Sequence, residues 1–215
     1  MVELSPDVVV IATGGLPQNP PLEAGDDLVV STWDILSGSV KPAETVLLYD
    51  DNGGHQGMGA AEYIANAGSR LELVSPERFF APEMGGMNHV PYMKAFQDKG
   101  VRVTINTRLR SVRRDGNQLV ATLGSDFSRD YRQERAVDQV VVEHGTAPLE
   151  DLYYALKPHS RNLGAVDYDR LVNGGDVFPV RNPDGAYTLL RIGDAVASRN
   201  IHASIYDGIR YAMRL

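Results

Sequence analysis

At 215 residues, with 43% hydrophobic and 23% charged side chains, the chain is long enough for one or two packed domains and too apolar to be disordered. Its net charge of −7 argues against nucleic acid or an anionic membrane surface as a main partner. The absence of cysteine excludes disulfides and thiolate-held iron–sulfur or zinc centres within the chain.

No apolar run is longer than Val8–Ala12, far short of a membrane span, and the acidic opening "MVELSPD" has no hydrophobic leader, so a cytoplasmic setting is expected. "DVVVIATGG" (Asp7–Gly15) reads as a buried strand ended by a sharp turn, and "LPQNPPLEAGDD" as a proline-rich surface loop. Ser31–Gly38 reads as a short helix capped by Ser31 or Thr32 and stopped by Gly38. A strand from Thr45 to Leu48 leads into the glycine-rich "YDDNGGHQGMG". The helix after it should begin near Gly57 or Met58, carry Ala60, Ala61, Ile64 and Ala65 on one face, and stop at Gly68. Arg70–Ser75 is a second parallel strand. "MGGM" (Met84–Met87) reads as a mobile loop with two packing methionines, a lid or partner role being the alternative. A helix over His89–Lys99, with Val90, Met93 and Phe96 on one face, precedes a third strand at Val101–Ile105.

Asp115-Gly116 and Gly124-Ser125 then divide three antiparallel strands, about Leu109–Arg114, Gln118–Leu123 and Phe127–Arg135. The arginines of this stretch are interleaved with acids, which points to a solvated hairpin surface rather than a polyanion site. Gln139–Gly145 returns as a buried strand. Ala186–Ala195 is a strand closed by Gly193-Asp194, and a final helix, capped by Ser198 or Asn200, places Ile201, Ile205, Ile209 and Ala212 on one apolar face.

This order predicts an α/β fold: a Rossmann-like parallel sheet with a three-stranded antiparallel meander, plus a partial second dinucleotide-binding domain. The expected boundaries are 41–147 for the NAD(P)-binding-like domain, 1–40 with 178–215 for a split remnant of an FAD- or ADP-binding-like domain, and 148–177 for a connecting segment. The arrangement resembles the pyridine-nucleotide domain of glutathione-reductase-like flavoproteins, entered after a strand ending in Ala12-Thr13-Gly14 and left at Gly193-Asp194. "DVVVIATGG", "VLLYDDNGGHQGMGAAEYIANAGSRLELVS" and "LLRIGDAVASRNIHASIYDG" resemble the C-terminal region of the trimethylamine dehydrogenase, histamine dehydrogenase and dienoyl-CoA reductase group of NADH:flavin oxidoreductases, related to old yellow enzyme.

That resemblance implies a C-terminal fragment whose parent carries FMN and an iron–sulfur cluster in an upstream TIM barrel. It implies a fragment inactive alone, with ADP, FAD or NAD(P) as the groups its own folds bind. The implied partners are the barrel, a second copy of the chain and an electron-transfer flavoprotein. Thr13, Gly14, Gly193 and Asp194 would meet the flavin or its ADP remnant, the plain alternative for the last two being a tight turn and helix cap. Strands "VVVIA" and "TLLRI", lacking neighbours, are expected to favour dimerisation or aggregation.

The glycine turn departs from the G-x-G-x-x-G fingerprint, whose glycines permit the tight turn, the approach of pyrophosphate and close helix packing. Asn52, Gly54 and Gly57 fit one register with Asn in first place; Gly54, Gln56 and Gly59 fit another with Gln in second. Asp50 and Asp51 precede the turn and would repel a diphosphate, although an aspartate also accepts ribose hydroxyls. The candidate nucleotide contacts are Asn52, Gly53, Gly54, His55, Gln56 and Gly57, with Ser75 and Arg78 at the adenosine-ribose end. Ser75 and Arg78 favour NADP and Glu77 favours NAD. The reading preferred is a degenerate pyridine-nucleotide site; the alternative is a working NAD(P)H domain that delivers hydride to a flavin. No His-x-x-x-His pair, serine elbow or base-paired nucleophile is present, and His144 is placed at a cleft between domains.

Overall fold

The computed structural model describes residues 4–215. In chain order the elements are β1 (Val8–Ile11), β2 (Gly15–Pro17), β3 (Val29–Ser31), α1 (Thr32–Leu36), β4 (Thr45–Asp50), α2 (His55–Asn66), β5 (Arg70–Val74), α3 (Gly86–Lys99), β6 (Arg102–Thr104), β7 (Arg108–Asp115), β8 (Gln118–Gly124), β9 (Arg132–Val137), β10 (Gln139–Glu143), β11 (Thr146–Pro148), α4 (Asp151–Leu156), α5 (Tyr168–Asn173), β12 (Thr188–Arg191) and α6 (Ile201–Ala212). They form two compact units, residues 17–145 and the residues up to 16 together with 146–215. These units differ from the boundaries read from the sequence. The stretch 17–40 joins the first unit because β3 pairs with β10, and 148–177 joins the second, where Tyr153 of α4 packs with Leu189 of β12.

The unit 17–145 is built on a five-stranded parallel sheet in the order β3-β10-β4-β5-β6, beside the antiparallel sheet β7-β8-β9. Alternation along β4 explains why both faces are covered. Val46 and Leu48 enter a core with Met58, Ile64, Leu73 and Phe96 under α2 and α3. Leu47 and Tyr49 enter a second core with Leu109, Leu123 and Val137 of the antiparallel sheet. The α/β class with its three-stranded meander is therefore as expected from the hydrophobic runs and the Asp-Gly turn.

Several details differ. Helix α2 begins at His55, two residues before the expected start, with Gly54 as an extended N-cap. β9 begins at Arg132 rather than Phe127, because Ser125 Oγ accepts from the Phe127 amide and Asp126 is drawn into ion pairs with Arg108 and Arg110. Helix α3 begins at Gly86; Met84 is buried but Met87 and Val90 are exposed.

Strand β3 was not foreseen, since two valines in a polar stretch give no period. It delivers Ser31 to the start of α1, where Ser31 Oγ accepts from the Asp34 amide and Asp34 Oδ2 accepts from the Ser31 amide. Ser31→Ala should cost about 1 kcal/mol and Ser31→Gly only a few tenths, measured as shifts in the urea midpoint. Equal losses would show that the hydroxyl is not the cap.

In the other unit β1 and β12 pair in parallel, Val9 with Leu189 and Ile11 with Arg191, and β2 pairs with β11. Val9, Ile11, Tyr153, Tyr187 and Leu189 form its core. Buried Asn162 ties the segment before α5 to β12, donating to Leu189 O and accepting from Leu189 N, both at 2.9 Å. Asn200, not Ser198, caps α6, accepting from the Ala203 amide at 2.9 Å. The expected apolar face of α6 is exposed, Ile201, Ile205 and Ile209 included, while Asp207 and Tyr211 point inward. The reason is polar: the inner face is held by Asp207, which accepts from the Gly193 amide and pairs with Arg199 and Arg210.

Candidate functional site

The glycine turn lies at the carboxyl ends of β4 and β10, the place where open parallel sheets bind ligands. Extending β4 to Asp50 continues its alternation. Asp50 points with Val46 and Leu48 toward α2, and Asp51 joins Tyr49 on the side of the antiparallel sheet.

Asp50 is 1% exposed. Its Oδ1 accepts from the amides of Asn52 at 3.0 Å and Gly53 at 2.8 Å. Its Oδ2 lies against the first turn of α2, where a β-carbon added at Gly57 would stand 2.3 Å away. Burial pushes the Asp50 carboxyl up to about 7; the two amides oppose the shift, and Glu143 and Asp51 add to it. Glu143, its partner across β10, is also buried. It accepts from the Gly145 amide at 2.8 Å, from Asn52 Nδ2 at 3.4 Å and from the Thr32 hydroxyl.

Gly53, Gly54 and Gly57 each face another group of the protein, whereas Gly59 has nothing within 4 Å. Gly53 has φ +70°, and a β-carbon there would meet the Pro82 ring at 2.5 Å; the Glu83 amide donates to Gly53 O at 3.1 Å. At Gly54 a β-carbon would meet Gln56 Oε1 at 2.6 Å. Gln56 stands at Gly54, the fingerprint position that lets a pyrophosphate approach, Asp50 fills the helix-packing space at Gly57, and Pro82 fills the room at Gly53. The amides of Asn52 and Gly53 already serve a carboxylate and are not offered to a pyrophosphate, while no side chain caps the N-terminus of α2 itself.

The other candidates are dispersed. His55 opens α2 and is exposed. Ser75 is buried, its Oγ accepting from the Glu77 amide at 3.3 Å, whereas Arg78 is exposed. In the second unit Thr13 Oγ1 donates to Leu149 O, and Gly14, with φ +73°, accepts from the Leu149 amide at 3.0 Å. Gly193 N–H donates to Asp207 Oδ2 at 3.1 Å, and Asp194 Oδ1 accepts from the Arg199 amide at 3.3 Å. Here too an internal aspartate takes a backbone amide at the strand end. Among the described residues no group of three His, Asp or Glu side chains is arranged to hold a metal ion.

Sequence reasoning missed a pocket of about 220 Å³ on the antiparallel-sheet side of the same strand ends, lined by Tyr49, Asp51, Arg108, Arg110, His144 and the Pro20–Glu23 segment. His144 lines this pocket within the unit 17–145. Its Nδ1 lies 2.8 Å from Asp51 Oδ1, and its ring meets Tyr49 edge-on. Asp51 is thus engaged with a histidine. Burial, and after it the Asp51 charge, hold the Tyr49 phenol above its usual range, and Arg108 donates to its oxygen at 3.3 Å. The alternation of β4 carried to Asp51 is the signal that would have found this cluster.

Comparison with known proteins gives this geometry a family. A family profile described as pyridine nucleotide-disulphide oxidoreductase matches residues 2–178. A probable N-methylproline demethylase of Rhizobium meliloti (strain 1021) is 52% identical over 206 residues, which are 96% of this chain and 30% of that protein. An N,N-dimethylglycine/sarcosine dehydrogenase of Chromohalobacter salexigens is 41% identical over 221 residues, 98% of this chain and 32% of that protein. Among solved structures, the 6-hydroxypseudooxynicotine amine oxidase of Pseudomonas geniculata N1 superposes with a TM-score of 0.75 at 22% identity, over 99% of this chain and 29% of that one, a likeness of fold. The chain therefore spans about a third of the length of the curated relatives it matches. On the match across most of its length, the chain belongs to the pyridine nucleotide-disulphide oxidoreductase family and is related to amine demethylases and dehydrogenases.

Proposed function

We propose that this chain is the nucleotide-domain portion of a flavin-dependent oxidoreductase acting on N-methylated amino acids, and that its pyridine-nucleotide turn is closed by the protein's own groups. Identity of 52% to a demethylase and 41% to a dimethylglycine/sarcosine dehydrogenase supports the substrate class. One observation carries the closed turn: Asp50 Oδ1 holds the amides of Asn52 and Gly53. The chain has no cysteine, so on this reading the thiolates of any iron–sulfur cluster, the FMN and the barrel belong to the rest of a longer protein, with an electron-transfer flavoprotein as the acceptor. The chain alone then binds and positions but does no redox chemistry.

The full-length protein containing this chain, assayed with N-methylproline, N,N-dimethylglycine and sarcosine and a bleachable dye as acceptor, should turn over at least one of these amines without consuming NADH or NADPH. Turnover of none of them would refute the substrate class.

A second reading has its own support. The family match and a carboxyl at about 7, hence partly neutral near pH 7, favour a working NAD(P)H domain that supplies hydride to a flavin. Oxidation of NADPH or NADH by the full-length protein, lost in Gly54→Asp, would establish that reading instead.

A further inference from the structure

We propose that Asp50 is the residue that sets the nucleotide specificity of this turn: its carboxylate is a built-in anion seated against the first turn of α2, beside the helix N-terminus that a diphosphate would use, and removing its charge opens the site to pyridine nucleotides. The inference rests on the reading of the turn as closed, and names the group that closes it.

Three groups occupy the turn, and they are not equivalent. Pro82 touches Gly53 from a loop outside the sheet and carries no charge. Gln56 touches Gly54 with the far end of a flexible side chain, whose displacement costs little. Asp50 is different on every count. It is the last residue of β4, fixed by the ladder with β10, and is 1% exposed. Its Oδ1 accepts from the two turn amides, and its Oδ2 lies close against Gly57 in the first turn of α2. A diphosphate at the N-terminus of α2 would lie beside this carboxylate in a poorly solvated place, where like charges repel strongly.

The neighbours sharpen the effect. Glu143 approaches from β10 and Asp51 follows in the turn, with His144 paired to Asp51; the first turn of α2 contributes no acid. Neutralising Asp50 alone leaves Glu143 engaged with Thr32, Asn52 and the Gly145 amide. The turn then keeps its framework but loses the charge that stands against a ligand.

The test is calorimetric titration of the purified chain with NAD⁺ and NADP⁺ at pH 8, for wild type, Asp50→Asn and Asp50→Ser, with circular dichroism reporting the fold of each. The serine variant also removes the oxygen that fills the space at Gly57. We expect the wild type to bind neither nucleotide at micromolar concentration and at least one variant to bind one of them ten times more tightly or better. An arm on the wild type alone needs no variant: its affinity should rise at least threefold from pH 8 to pH 6. Folded variants as weak as a weak wild type, together with a flat pH response, would overturn the role of Asp50 while leaving the closed turn in place. Micromolar binding by the wild type at pH 8 would overturn the closed turn itself, and this inference with it.

Discussion

Gly25→Ala is expected to destabilise the protein by more than about 4 kcal/mol, the size that marks a specific structural failure rather than an average substitution. Gly25 has φ +90°, and a β-carbon there would stand 1.9 Å from the carbonyl oxygen of Val112. The left-handed backbone alone costs a non-glycine residue about 1–2 kcal/mol. The clash adds to it, because neither chain can withdraw. Val112 N donates to Ala24 O at 2.9 Å, Glu23 N donates to Arg110 O at 2.8 Å, and Ala24 bridges to Ser111. Relieving the overlap breaks those bonds and moves the Pro20–Glu23 wall of the 220 Å³ pocket. Gly38→Ala is the control: φ is +79°, but nothing lies within 4 Å. Denaturant unfolding of both variants separates strain from overlap. If Gly25→Ala loses no more than Gly38→Ala, the overlap has no cost and the account of this turn is wrong.

Asp50→Asn should change stability in the opposite direction, and by an amount that depends on pH. The carboxyl rises from 3.8 to about 7 on folding. Between those values the folded state keeps a proton that the unfolded state has released, so stability from this group is complete below about pH 4 and falls as pH rises to about 7. That rise corresponds to roughly 4 kcal/mol, which relaxation around the charge reduces to about half. Asparagine does not titrate and still offers an oxygen to the amides of Asn52 and Gly53. The variant should therefore match the wild type within about 1 kcal/mol at pH 4 and exceed it by about 2–4 kcal/mol at pH 8. Glu143 and Asp51 face the same carboxyl and are present in both proteins, so the difference curve isolates residue 50. A difference that does not vary from pH 4 to 8 would mean that Asp50 is as easily ionised in the fold as in water.

Much of this architecture was legible in the sequence. The runs at β4 and β10 are apolar on both faces, which only a doubly covered parallel sheet explains, alternating β5 was placed by its neighbours, and Asp115-Gly116 marked the hairpin of the antiparallel sheet. The glycine turn was found, as was its poor match to the fingerprint. What each aspartate does was not. Ending β4 at Leu48 left Asp50 and Asp51 as equivalent charges, whereas two more residues of alternation send them to opposite faces of the sheet, one to backbone amides and one to His144. Pro82 could not be anticipated, because its contact with Gly53 depends on how the loop between β5 and α3 folds back. The exposed isoleucines of α6 mark the limit of periodicity: a helical apolar stripe shows that a face prefers cover, not which element supplies it.

The internal use of Gly53 and Gly57 bears on how such a segment changes over evolutionary time. Because a proline ring and an aspartate fill the room at Gly53 and Gly57, drift toward alanine at those two positions would be purged by misfolding in a lineage that never met a coenzyme. Persistence of the pattern among descendants is then a memory of architecture, and carries no testimony about cargo.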